Sequence, residues 1–290
     1  MKKILITGKN SYVGNSFEKW VTQWTEEYEI DKISIRNEDW KNHDFGKYDV
    51  VLHVAGIAHQ DTKADQEDLY YRVNRDLTIE IAEKAKDDGV KQFIFLSSMI
   101  VYGTSSKVGE LKVINKDTIP RPVNFYGKSK LEAEKGISVL QNSNFKVVIL
   151  RPPMIYGKNS KGNYPILSKF AKISPVFPDI DNKRSMLYID NLTEFIRLLI
   201  NNEDRGTFFP QNNEFVSTKE MVNLIANNYG NNLTLTKIFN PIFKIGSKKI
   251  NIFNKIFGDL IYDRELSTYK EVYALQGLEE SINNTEQNKK

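Results

Sequence analysis

The strongest constraint on this chain is the order of its apolar runs. ILIT (4–7), KISIR (32–36), VVLHVAG (50–56), FIFLSS (93–98) and VVILR (147–151) are short and nearly continuous, as strands buried on both faces must be. Between them, Asn15–Trp24, Leu69–Lys86 and Phe125–Leu140 carry helical spacing. Strands alternating with helices predict an α/β fold, and right-handed crossovers wind such a chain into a doubly wound parallel sheet of Rossmann type.

After Arg151 the alternation loosens. RPPMIYGKNSKGNYP reads as loop, followed by a short helix near 166–172, a helix over Asp190–Asn201 and a strand over Thr207–Phe209. The expected organisation is a dinucleotide-binding domain over 1–152 with a return segment at about 186–210. A smaller, discontinuous C-terminal substrate lobe takes 153–185 and 211–290. The basic amphipathic stretch NPIFKIGSKKINIFNKIFGDLIYDRELS, from 240, would suit a membrane surface, but Asn240, Pro241 and its glycines interrupt the pattern and favour lobe residues packing over the substrate cleft. The terminal ESINNTEQNKK is expected to fray.

Composition narrows the function classes. With 290 residues, 40% hydrophobic and 27% charged, the chain can bury a full core. The net charge of +4 comes from 41 basic and 37 acidic residues mixed along the sequence, so no single-sign block marks a nucleic-acid surface. The chain contains no cysteine, which excludes disulfides, thiolate metal sites and cysteine nucleophiles, and no metal is assigned. No apolar stretch approaches the roughly 20 residues that span a bilayer, MKKILITG reads as a buried strand rather than a leader, and the cytoplasm is the default location.

Thr7-Gly8-Lys9-Asn10-Ser11-Tyr12-Val13-Gly14 follows the first strand and opens the first helix, the context a dinucleotide-phosphate loop requires. Gly8 permits the tight turn and Gly14 the close helix-to-strand packing, while the helix N-terminus favours the pyrophosphate. Ser11 stands where the usual middle glycine would be. Beyond the second strand, Ser34-Ile35-Arg36-Asn37 offers a cation rather than a carboxylate, so Arg36 favours NADP(H), with Lys9 as a second contact. A solvated surface arginine would leave NAD(H) open.

Tyr126 and Lys130 are four residues apart at the start of a helix and so share a face. A neighbouring ammonium would lower the tyrosine's ordinary pKa of about 10 and make it useful in proton transfer. The lysine would also reach the nicotinamide ribose, and Ser98, at a strand end, would hydrogen-bond the substrate oxygen.

With these residues in view, the chain resembles the extended short-chain dehydrogenase/reductase family, in its nucleotide-sugar epimerase/dehydratase/reductase branch. The matching pieces are TGKNSYVG (7–14), HVAG (53–56), Asn74 in VNRDLT, LSSMIVYG (96–103), YGKSK (126–130), RPPMIYG (151–157) and RSMLYIDNL (184–192). The resemblance implies adenine contacts from Asp44 and Phe45, cofactor-cradling backbone at Val54, Ala55 and Gly56, a nicotinamide contact near Pro153, and Arg184 on the diphosphate of a sugar nucleotide. It also implies that Asn74 supports the cofactor site, and that neither His53 nor His59 does acid–base work.

Members that eliminate water commonly carry an Asp-Glu pair after the active serine or threonine, and here Met99 and Ile100 stand there. The reductase that also epimerises a 4-keto-6-deoxy-mannose uses a cysteine, which this chain lacks. Three readings remain: an NAD(P)H-dependent reductase of a UDP-4-keto-6-deoxy-N-acetylhexosamine serving bacterial surface polysaccharide, a 4-epimerase of UDP-hexose or UDP-N-acetylhexosamine, and a non-catalytic dinucleotide-binding regulator. Length, the short link between the second and third main strands, and Arg36 favour the reductase. The expected partner is a UDP-sugar, with no nucleic acid and no membrane span, and family likeness makes a homodimer through a helix pair an expectation.

Overall fold

A computed structural model describes residues 1–58, 64–238, 240 and 251–287. His59 and positions 241–250 of the basic stretch lie outside the described residues. The chain divides into two compact units.

The first unit takes Met1–Gly103, Ile119–Pro152 and Leu192–Pro210. Its strands are β1 (Lys2–Thr7), β2 (Tyr28–Ile33), β3 (Val50–His53), β4 (Gln92–Leu96), β5 (Lys146–Leu150) and β6 (Gly206–Phe208). They lie side by side in the order β2-β1-β3-β4-β5-β6, and every neighbouring pair is parallel. The order reverses at β1, so the carboxyl ends of β1 and β3 open the crevice where such sheets bind ligands.

The second strand sits earlier than the run KISIR predicts. The amides of Gly8 and Lys9 both donate to the Ile33 carbonyl at 3.0 Å, so the β1–β2 ladder closes at Ile33, where β1 turns away. Ile35 then leaves the sheet for the core. With Trp40, Phe45 and Tyr48 it pins the β2–β3 link against Leu5, Val51, Phe93 and Ile137.

Helix α1 (Tyr12–Val21) joins β1 to β2. The long helix expected over Leu69–Lys86 is instead α2 (Glu67–Tyr70), a π-helical turn over Tyr71–Asp76, and α3 (Leu77–Asp87). Wide turns of this kind re-aim side chains and are frequent at functional sites. This one aims Asn74. Helix α4 (Phe125–Ser138) begins on an Asn124 cap whose side chain accepts from the Gly127 amide at 2.8 Å. The portion of the Ile189–Asn201 helix within this unit is pinned by Trp20 Nε1 on Glu194 at 2.9 Å and by Gln92 Nε2 on the Leu199 carbonyl at 3.0 Å.

The second unit takes Thr104–Thr118, Pro153–Asn191 and Gln211–Lys290. Two segments thus group differently from the expected division: 104–118 and 186–191 belong to this unit. Its described residues form three small parallel strand pairs, Met154–Tyr156 with Met186–Tyr188, Val176–Pro178 with Thr234–Thr236, and Val113–Ile114 with Ile261–Tyr262. Asn163–Ile173, Thr218–Asn228 and Leu278–Glu286 are its longer helices.

The last of these corrects the expectation of a frayed terminus. Ile282, Thr285 and Glu286 are buried, and the Glu286 carboxylate accepts from Tyr164 at 2.8 Å, Ser168 at 3.0 Å and Tyr229 at 2.7 Å. The polar letters of ESINNTE hide a helix whose small polar face is what these hydroxyls pack against. No helix among the described residues is long and apolar enough to cross a membrane.

Candidate active site

The loop after β1 has the build of a phosphate cradle. Gly8 sits at φ 112°, and a Cβ there would come within 3.1 Å of the Ala55 amide nitrogen. At Gly14 a Cβ would lie 2.5 Å from Ser11 Oγ and 2.8 Å from Ile6, so only glycine lets α1 approach the sheet this closely. Ser11, in place of the usual glycine, caps α1 by accepting from the Gly14 amide at 3.1 Å. Tyr12 and Val13 follow as the first turn of the helix. The residues present therefore fit a dinucleotide pyrophosphate over this helix end.

Lys9 and Arg36 are both exposed, and the Lys9 backbone is joined to the end of β2. Arg36 donates its amide to Ser34 Oγ at 3.4 Å. Of the pair implied as adenine contacts, Asp44 is exposed and accepts from the Gly46 amide, but the Phe45 ring is wholly buried in the core. Phe45 can thus meet a ligand only through its backbone.

Past β3, the Val54 amide donates to the Thr7 carbonyl at 3.2 Å, and Ala55 and Gly56 carry the chain over the strand ends. Asn74, fully buried, clamps the next residue: its Oδ1 accepts from the Ile57 amide at 2.8 Å and its Nδ2 donates to the Ile57 carbonyl at 3.1 Å. The same Nδ2 reaches Ser129 Oγ at 3.2 Å, tying this backbone to α4.

Ser98 follows β4 in extended conformation and caps a tight turn over Met99–Tyr102, accepting from the Ile100 amide at 3.2 Å. Tyr126 is the second residue of α4 and Lys130 lies one turn on. Gly127 makes this proximity possible, because a Cβ there would stand 3.0 Å from the Ile100 carbonyl. Lys130 is buried, donates to the Leu96 carbonyl at 2.9 Å and sits over the Phe95 ring at 4.4 Å.

The electrostatics depart from the simple expectation. Desolvation pushes the Tyr126 phenol up to about 12, opposed by its hydrogen bond with Ser98 and reinforced by Tyr70, whose ring centroid is 6.3 Å away. Burial likewise lowers Lys130 to about 7, with Glu134 pulling it back up. The lysine does not depress the phenol, because burial disfavours its own charge. At neutral pH the Tyr126 phenol therefore keeps its proton, and Lys130 lies near its own midpoint.

His53 lies under this group as a packing residue. Thr78 Oγ1 gives its single proton to the Asn74 carbonyl at 2.9 Å, so His53 Nε2–H donates to Thr78 at 3.0 Å and Nδ1 accepts from Thr7 at 2.7 Å. Burial lowers its pKa to about 3, and it stays neutral.

Pro153 and Arg184 belong to the second unit. Arg184 Nη1 donates to the Gly258 carbonyl at 2.8 Å and burial lowers its pKa to about 10, opposed by Asp259. Sequence reasoning missed Glu134, Arg151, Ser97 and Tyr102, which interlock behind Ser98. The one local signal was Glu134 four residues beyond Lys130.

Comparison with known proteins bears on the family and the fold. The sequence pattern of the NAD dependent epimerase/dehydratase family matches residues 4–211. UDP-glucose 4-epimerase of Vibrio cholerae is 33% identical over 250 residues, covering 78% of this chain and 75% of that enzyme. The fold is shared with dTDP-4-dehydrorhamnose reductase from Bacillus anthracis str. Ames in complex with NADP, at TM-score 0.74, 20% identity and 100% coverage of both chains. It is shared too with UDP-glucuronic acid 4-epimerase from Bacillus cereus in complex with NAD, at TM-score 0.74 and 19% identity, covering 98% of this chain and 96% of that one. The sequence match across residues 4–211, together with the Vibrio cholerae relative, establishes that this chain belongs to the NAD dependent epimerase/dehydratase family.

Proposed function

We propose that this protein reduces the C4 ketone of a UDP-4-keto-6-deoxy-N-acetylhexosamine, with NADPH as the preferred coenzyme. The observation that carries this reading is the placement of three groups: Ser98 at the end of β4 and, on one face of α4, Tyr126 and Lys130. At neutral pH the Tyr126 phenol carries its proton. The loop from Gly8 to Gly14 would hold the dinucleotide, whose reduced nicotinamide would supply the hydride for the carbonyl carbon and leave the electron pair on oxygen. Ser98 donates a hydrogen bond to that oxygen as its charge grows. Tyr126 gives it a proton, and Lys130 returns a proton to the phenolate. One coenzyme and one proton are consumed per alcohol formed.

Arg36 and Lys9, with no carboxylate among Ser34-Ile35-Arg36 at the end of β2, favour a 2′-phosphate on the coenzyme. Arg184 is assigned to the sugar nucleotide's diphosphate, on the resemblance of its surrounding motif, and a guanidinium fork suits that task. A second reading, UDP-sugar 4-epimerase, is favoured by the Vibrio cholerae relative.

The test follows coenzyme absorbance when the purified protein meets NADPH or NADH and the 4-keto sugar nucleotide. Stoichiometric oxidation, faster with NADPH, is expected. No oxidation, with interconversion of UDP-glucose-type and UDP-galactose-type sugars, would assign the epimerase instead.

A further inference from the structure

Behind the catalytic group lies a buried charged cluster that takes no part in the reaction as written. Glu134, 3% exposed, stands one turn beyond Lys130 on α4. Its carboxylate accepts from Arg151 Nε at 3.1 and 3.2 Å, from Arg151 Nη2 at 2.5 Å and from the Ser97 hydroxyl. Arg151 Nη1 donates to the Tyr102 hydroxyl at 2.7 Å.

Ser97 and Tyr102 bracket the segment that carries Ser98. That segment is also tied to the end of β5, by the Ser97 amide on the Leu150 carbonyl at 2.7 Å and the Met99 amide on the Pro152 carbonyl at 2.9 Å. One carboxylate thus joins the helix bearing Tyr126 and Lys130 to both ends of the segment bearing Ser98. A buried ion pair is weak evidence of stability, because apolar residues of similar volume often do as well. What this pair supplies that apolar residues cannot is direction and charge.

We infer that Glu134 and Arg151 are positioning residues: together they fix the separation of the Ser98 hydroxyl from the Tyr126 phenol, and Glu134 holds a negative charge one helical turn from Lys130. The inference rests on the reading of Ser98, Tyr126 and Lys130 as the catalytic group. Among the described residues, the titratable groups that act on Lys130 or feel it are His53 from β3 and Glu134 from its own helix, and His53 is neutral.

The experiment compares the wild type with Ser97→Ala, Tyr102→Phe, Glu134→Gln and the double variant Glu134→Gln/Arg151→Met, which removes both charges at once and so spares the fold. A misplacement of roughly 1 Å costs about 10²-fold, so the double variant is expected to lose about that much kcat while its Tm and its dinucleotide Kd stay near wild type. The two hydroxyl deletions should lower kcat by about 10-fold with KM unchanged, each breaking one strut of the same brace.

A second readout needs no substrate: acylation of the Lys130 amine, followed by mass spectrometry from pH 5 to 9. The midpoint is expected near 7 in the wild type and should fall by about one unit in Glu134→Gln. Wild-type kcat in the double variant, or an unmoved Lys130 midpoint in Glu134→Gln, overturns the inference. An inactive wild type overturns the proposed reaction instead, and the labelling still decides whether Glu134 governs the lysine.

Discussion

Asn74 closes on Ile57 from both sides, accepting from its amide at 2.8 Å and donating to its carbonyl at 3.1 Å. This clamp holds the backbone beyond Gly56, at the mouth of the crevice where β1 and β3 end. Because Asn74 sits in the π-helical turn, its side chain is aimed back at the strand ends and not along a regular helix face.

Replacing Asn74 by Ala should therefore do two things at once. It leaves the Ile57 amide and carbonyl without a partner, at a cost of about 1–3 kcal/mol, which calorimetry would register as a lowered Tm. It also frees the cradle backbone, so dinucleotide Kd should rise about 5- to 10-fold, as fluorescence titration would measure. A lowered Tm with unchanged Kd would confine Asn74 to the fold.

Tyr126→Phe removes the proposed proton donor while keeping the ring against Tyr70. General acid catalysis contributes about 10²- to 10⁴-fold, so kcat should fall by at least that range with dinucleotide Kd unchanged. Turnover retained in this variant would remove Tyr126 from the mechanism.

How much of this could be read from the chain depended on how local each feature was. The phosphate loop and the Tyr126–Lys130 spacing are written within eight and five consecutive residues, and turn and helix geometry alone bring their groups together. The brace behind them is different: Ser97, Glu134 and Arg151 come from three separate elements, and nothing in their spacing reveals that β4, α4 and β5 converge. The second strand was misplaced because the apolar run spans both the ladder and the exit of Ile35 into the core. The terminal helix escapes a sequence reading because Leu278 and Ile282 share its buried face with Ser281, Thr285 and Glu286, and these polar residues read as solvent-facing until Tyr164 and Tyr229 are seen to meet Glu286.

Arg36 offers the direct test of coenzyme choice. A hydrogen bond to a charged group contributes about 1.5–3 kcal/mol, so Arg36→Ala should weaken NADP binding by roughly 10- to 100-fold and leave NAD binding near wild type. Equal losses for both coenzymes would mean that Arg36 does not touch the 2′-phosphate.

His53 makes stability depend on pH in a known direction. Its folded pKa is lowered to about 3 from the ordinary 6.5, because burial between Thr7 and Thr78 excludes the imidazolium. Between those values the unfolded chain binds a proton that the folded chain does not. The contribution is therefore complete above pH 6.5 and is lost as pH falls toward 3, with a slope of about 1.4 kcal/mol per pH unit. Other groups titrate in the same range, so the measurement is a difference: urea unfolding from pH 6 to pH 4 for the wild type and for His53→Gln. The wild type should lose stability more steeply than the variant by about that slope. Parallel slopes would mean that His53 accepts its proton within the folded protein, and that the Thr7–His53–Thr78 chain beneath Asn74 opens at acid pH.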